Sequence, residues 1–281
     1  MNDFFLRAQT RYIYPRFEIL DCVLNTYTES GINYMTENKV GVSQNLNSFR
    51  EKVGESLHNN KASMVGAILI VFLINEIKIF FPDLFFWGIP LALLAIWLIS
   101  WFKKVGWSDL GIFRPKSWSK TISVGIGTMV ILQVSATVIM TILYFTGGGS
   151  SPDYSSYGEV NNSPWVLLKF LLVSWTTAGF GEEVIWRGFF MKQIARLLND
   201  QKRLSWVISL LLTSTVFGLI HYSQGITGIL MTGVAGLVLG AVYLYTGRNL
   251  WASIIAHVLM DTTSFVMLYY SDAIRTALNI N

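Results

Sequence analysis

The run WVLLKFLLVSWTTAGFGEEVIWRGFFMKQIARLL, residues 165–198, decides what kind of protein this is. Crossing a hydrocarbon layer of about 30 Å takes about 20 apolar residues at 1.5 Å each, and this run exceeds that length. Near its middle it nevertheless carries Glu182, Glu183 and Arg187. Ionisable side chains at membrane depth cost roughly 2.5 to 3.5 kcal/mol each on insertion scales, so they face a protein interior or an aqueous cavity and mark a site. The C-terminal end of the run is surplus to one span. It is expected to project beyond the membrane, with Lys192 and Arg196 at the interface.

The rest of the chain fits the same class. Of its 281 residues 52% are hydrophobic and only 14% charged, against about 25% charged for an ordinary soluble domain. Further apolar runs lie at 64–81, 86–102, 121–145, 205–222, 226–245 and 251–270. With the run at about 167–191 they predict an all-α polytopic transmembrane helix bundle of about seven spans, six to eight being compatible with the pattern. Seventeen of the 21 Lys and Arg fall before the first span or in the 103–120, 192–204 and 246–250 connections. That asymmetry predicts a cell-membrane protein with a cytoplasmic N-terminus and an external C-terminus. It also accounts for the net charge of +4 by topology and anionic headgroups, so no nucleic-acid partner is called for.

Three parts are expected: a small cytoplasmic N-terminal extension at 1–62, a helical membrane domain at 63–271 and a short tail at 272–281. The extension is polar with weak helical patterning, and its Phe4-Phe5-Leu6 patch is too short for a secretory signal core. Residues 147–164, rich in Gly, Ser, Asn and Pro, read as a flexible external connector. The single Cys22 excludes an intramolecular disulfide and reads as a buried small hydrophobe. In the sixth span, Gly236 and Gly240 form a small-xxx-small pattern for close helix packing.

Two more motifs join the first: Phe217-Gly-Leu-Ile-His221 and His257-Val-Leu-Met-Asp261. If residues near 200 form the turn of an antiparallel helical hairpin, Glu182 and His221 lie at similar depth, because both helices rise equally per residue. Glu183 and Arg187 are one turn apart in the favourable order and are expected to pair. That leaves Glu182 without a cation, in a cavity where it suits proton acceptance, with His221 able to share a water. Asp261, one turn from His257, is expected to hold it by a hydrogen bond. Such parts suffice to activate water and stabilise an oxyanion.

EExxxR, FxxxH and HxxxN/D, in this order on successive helices, resemble the motifs of the CAAX-protease and bacteriocin-processing family of intramembrane endopeptidases, also called the Abi family. The likeness covers about residues 60–270, and Gly106-Trp-Ser-Asp-Leu-Gly111 resembles that family's cytoplasmic loop. The resemblance implies hydrolysis of a peptide bond in a membrane-bound or lipidated peptide. It also implies roles: Glu182 with His221 activates the water, His257 with Asp261 stabilises the oxyanion, and Glu183, Arg187 and Phe217 support the site. Many members carry Asn at the last position, whereas Asp261 as a carboxylate cannot donate to an oxyanion and is better cast as orienting His257 or as a metal ligand.

Zinc is the one candidate cofactor. Glu182, His221, His257 and Asp261 are ligand types that could hold Zn²⁺ with an open water position. The chain lacks HExxH, the strong zinc signature, so a metal-independent glutamate mechanism is favoured. The alternative function is a catalytically idle family member that scaffolds or regulates a membrane partner such as a sensor kinase. A proton or ion transporter, the third reading, lacks an evident inverted repeat.

Overall fold

The computed structural model describes residues 45–148, 160 and 163–271. The expectations for Cys22, for most of the N-terminal extension and the 147–164 connector, and for the 272–281 tail therefore lie outside the described residues. The chain divides into two units, Met1–Val53 and Gly54–Asn281. Of the first, residues 45–53 are described; they begin helix α1, Asn45–Asn59, with Leu46 and Phe49 exposed.

The second unit is an all-α, multi-pass membrane bundle. Its helices are α2 (Lys61–Asn75), α3 (Gly88–Phe102), α4 (Trp118–Thr146), α5 (Pro164–Ser174), α6 (Lys192–Leu197), α7 (Arg203–Leu219), α8 (Gly225–Tyr245) and α9 (Trp251–Tyr269). Starts are set by side chains that accept from otherwise unbonded N–H groups. Asn60 caps α2 through Ala62 N at 2.8 Å, Ser117 caps α4 through Lys120 N at 3.3 Å, and Ser163 caps α5 ahead of Pro164. Three segments are individually long and apolar enough to cross a membrane: Trp118–Thr146, Tyr222–Tyr245 and Trp251–Tyr269. Gly88–Phe102 and Arg203–Leu219 are apolar but shorter.

One expected span is corrected. The 64–81 run is not a single helix, because α2 stops at Asn75 and the chain continues in short 3₁₀ turns at Ile77–Ile79 and Pro82–Trp87. Pro82 has no N–H to continue a ladder, and Glu76, 1% exposed, is folded inward with Asn75 Nδ2 donating to its Oε1 at 2.6 Å. The reading of 64–81 as one span passes over this buried carboxylate. The rule that flagged Glu182 applies equally to it.

The core is built around the helix that follows α5. Val71, Ala92, Ile96, Ile185, Phe189, Met191, Tyr243 and Leu250 form one apolar cluster, and Leu132, Ala235, Leu239 and Ala256 a smaller one. Helices α7 and α8 approach closely. A Cβ at Gly236 would lie 3.0 Å from Ser214 Cα, and one at Gly240 2.4 Å from Leu210 Cδ1, so the small residues serve packing. Helix α4 lies against α8 and α9 along a narrow stripe, burying Gly125, Thr128 and Leu132.

At the end of the bundle rich in Lys and Arg, the 106–113 segment is stitched to its neighbours. Leu250 N donates to Gly111 O at 3.0 Å and Asn249 Nδ2 to Phe113 O at 2.7 Å. Asp109 binds Lys192 at 2.7 Å and lies 3.5 Å from Arg196. Burial works to raise the Asp109 carboxyl, but the hydrogen bond and charge of Lys192, with Arg196 and Lys103, hold it below its ordinary value. Burial, then the Arg196 charge, bring the Lys103 ammonium down to about 8.

Candidate active site

Between α5 and α6 the helix does not keep the α pattern. Trp175–Glu182 and Val184–Met191 are π-helical, a form that is rare beyond single turns and occurs often at functional sites. The consequence is a change of facing. Ser174 and Glu183, nine residues apart, would lie on opposite sides of an α-helix, about 2.5 turns away. With i→i+5 bonding and roughly 4.4 residues per turn they return to one side.

Contacts with α9 follow that wider period. Ser174 Oγ donates to Asp261 Oδ2, Trp175 Nε1 donates to Thr262 Oγ1 at 2.9 Å, and Glu183 Oε1 accepts from His257 Nδ1 at 2.9 Å. Between them, a Cβ on Gly179 would come within 2.4 Å of Val258 Cγ2, and one on Gly181 within 2.5 Å of Ile89 Cγ2 on α3. Those glycines let the widened helix seat between α9 and α3.

Glu183 is fully buried and joins two basic side chains of the site: its Oε1 also accepts from Arg187 Nη1 at 2.7 Å. Arg187, 3% exposed, reaches Gly236 O on α8 at 3.3 Å and lies 5.1 Å over the Phe217 ring. A buried pair like this is sustained only when its remaining donors find partners, as here they do in part through the α8 carbonyl and an aromatic face. Glu182 differs. It remains partly accessible while the residues from Glu183 to Met191 are sealed.

His221 lies two residues beyond the end of α7, and its Nδ1 is 2.7 Å from the Phe217 carbonyl oxygen. A carbonyl only accepts, so Nδ1 carries the hydrogen and Nε2 is left as an acceptor. Trp186 and Arg187 both meet the Phe217 ring, at 5.3 and 5.1 Å, so the end of α7 packs against the π-helical stretch.

Two expected relationships differ from what is found. His257 is held by Glu183, since its Nε2 is 3.8 Å from Asp261 Oδ1, beyond hydrogen-bond length. The cause is the π widening, which turns Glu183 toward α9. Nor do the four expected zinc ligands assemble: among the described residues no three His, Cys, Asp or Glu side chains converge as a metal site requires.

Sequence reasoning overlooked Ser174 altogether, and in the 164–263 segment it is the side chain that holds Asp261. Residues 164–263 match the family model described as type II CAAX prenyl endopeptidase Rce1-like. The match covers 100 of the 281 residues. The matched segment contains all six ionisable side chains of the three motifs, and the match agrees with the CAAX-protease and bacteriocin-processing resemblance they carry. No curated protein and no solved structure matches the chain. The matched segment starts with α5 and runs into α9, so it takes in the π-helical stretch, His221 and the helix that carries His257, but not Glu76.

Proposed function

We propose that the protein is an intramembrane endopeptidase that hydrolyses a peptide bond in a membrane-bound, lipidated peptide, with Glu182 and His221 activating water. The observation that carries this reading is the split between adjacent carboxylates. Glu183 is sealed and committed to Arg187 and His257, whereas Glu182 keeps accessible surface. One acid braces and the other is available to react.

In the proposed reaction a water lies between Glu182 and the free Nε2 of His221. Its oxygen attacks the scissile carbonyl carbon while its proton passes to Glu182. The carbonyl oxygen becomes an oxyanion facing His257, whose imidazole is oriented by Glu183 and carries Asp261 on its other side. The C–N bond then breaks, and the proton held by Glu182 goes to the departing amine. Burial of Arg187 and Glu183 keeps this constellation from shifting as charge develops.

In the same reading, seven segments cross the cell membrane, with the basic end of the bundle and the N-terminus in the cytoplasm. The composite helix from α5 to α6 supplies one crossing, and α2, α3 and α7, each shorter than a full span alone, supply three. The family description supports a prenylated substrate. A scaffolding role alone would leave the accessible Glu182 without work.

The test is cleavage of a panel of membrane peptides, prenylated and not, by purified protein in detergent. Glu182→Ala and His221→Ala are run beside wild type, with and without a zinc chelator. Loss in both variants and none with chelator is the expected result. Loss with chelator and recovery with Zn²⁺ would replace the glutamate mechanism by a metal one, and a folded wild type inert across the panel would sink the protease reading.

A further inference from the structure

Ser174 stands at the last turn of α5, one residue before the helix widens, and its hydroxyl is committed across the bundle. An isolated Ser or Thr in an apolar helix commonly donates back to the carbonyl four residues earlier. Thr176 and Thr177 do so, to Leu172 O at 2.9 Å and Val173 O at 2.7 Å. Ser174 instead donates to Asp261 Oδ2. It is 7% exposed, so this bond is shielded from competing water.

The bond has a geometric consequence for Asp261. One carboxylate oxygen, Oδ2, is occupied by Ser174, and the other, Oδ1, is thereby turned toward His257 Nε2 at 3.8 Å. That separation is too long for a direct hydrogen bond. His257 is fixed from its opposite nitrogen by Glu183, so only the Asp261 side of the ring has room to adjust. The neighbouring rung, Trp175 Nε1 to Thr262 Oγ1 at 2.9 Å, and the Phe170–Phe265 ring contact at 5.7 Å, clamp α5 to α9 around the same level.

We propose that Ser174 is a positioning residue of the active site, acting through Asp261 to set the environment of the His257 Nε2 atom that meets the oxygen of the tetrahedral intermediate. This rests on the peptidase reading for its catalytic meaning, but the Ser174–Asp261–His257 relay can be tested without turnover. Ser174 touches neither substrate nor reacting water. It determines which way the Asp261 carboxylate faces.

The test uses two readouts on full-length protein in detergent. The first is the ¹⁵N spectrum of histidine-labelled protein. The chain has three histidines, His58, His221 and His257, so His58→Gln and His221→Gln assign the signals. Ser174→Ala is expected to shift the His257 ring nitrogens and leave those of His221 in place, while Ser174→Thr, which keeps the hydroxyl, stays near wild type. The second is cleavage kinetics. Ser174→Ala should lower kcat by up to about 100-fold, the scale of a reacting group displaced by about 1 Å, with little change in KM. In an Asp261→Ala background the same substitution should cost nothing more. Unmoved His257 nitrogens in a folded Ser174→Ala protein, or an equal loss with and without Asp261, would overturn the proposal. If wild type cleaves no peptide the proposed reaction fails, and the nitrogen spectra alone then decide on Ser174.

Discussion

Helix α4 and the π-helical stretch from Trp175 to Met191 are both apolar, and they solve opposite problems. In α4, Thr128, Ser135, Thr137 and Thr141 each donate to the carbonyl four residues back, at 2.7 to 2.9 Å, so the helix satisfies its own polar atoms. Ile126, Val130, Ile131, Val134 and Val138 are exposed, as suits a lipid-facing surface. In the widened stretch the charged groups reach other helices: Glu183 to α9, Arg187 to α8. A helix that keeps its period can stand in lipid largely on its own. The one that breaks it must be enclosed, and there the ionisable groups gather.

The largest effect should come from unbalancing the enclosed region. Glu183→Ala leaves Arg187 buried without its carboxylate and should cost roughly 3–5 kcal/mol, read as loss of monodisperse folded protein in detergent. The double change Glu183→Met with Arg187→Met should recover most of that stability while activity stays absent. Next is Gly188→Ala. A Cβ there would sit 2.6 Å from Leu110 O, pushing the 107–110 segment off the widened helix at a cost of roughly 1–3 kcal/mol. An unchanged unfolding midpoint would show that this close seat is not required.

Smaller effects are expected at the basic end. Asp109→Asn should cost about 1 kcal/mol, the scale of a partly exposed charged contact. Because the Asp109 carboxyl is held below its ordinary value of 3.8, its contribution is present above that pH and is lost as pH falls through the folded value. Lys103 titrates near 8 in the fold against 10.5 ordinarily. Between those values the unfolded chain binds more protons, so stability should rise with pH across that window. Lys103→Met should flatten the rise, which a series of thermal melts would reveal. Least affected should be α4, where Thr137→Val is expected to change stability by less than about 0.5 kcal/mol; a larger loss would mean that α4 is not the self-sufficient helix described above.

Much of this contrast is legible in the sequence. Hydropathy finds α4, α8 and α9 because each is a long run with few breaks, and the i, i+4 spacing of Glu183 and Arg187 gives their ion pair. The π widening is not legible by period. From Val184 to Met191 nearly every residue is apolar and all are buried, so no polar face marks where the phase slips. The usable hint was compositional: Gly179 and Gly181 just before the glutamate pair, where flanking helices leave no room for a Cβ. That slip is why Glu183, and not Asp261, holds His257. Ser174 was hidden for a different reason, since one Ser in an apolar helix ordinarily bonds its own backbone. Glu76 is hidden for a third reason, since a single carboxylate near one end of an apolar run leaves the run long enough to read as a span.

The two adjacent glutamates are expected to do different work, and cleavage rate with thermal unfolding midpoint for Glu182→Gln and Glu183→Gln side by side, on a peptide that wild type cleaves, measures the difference. Glu182→Gln should lose activity by about 10²- to 10⁴-fold, the range for a general base, with its midpoint unchanged. Glu183→Gln should lower the midpoint by several degrees, at roughly 2–4 °C per kcal/mol. A Glu182→Gln protein that retains activity within tenfold, or a Glu183→Gln protein as stable as wild type, would contradict the account.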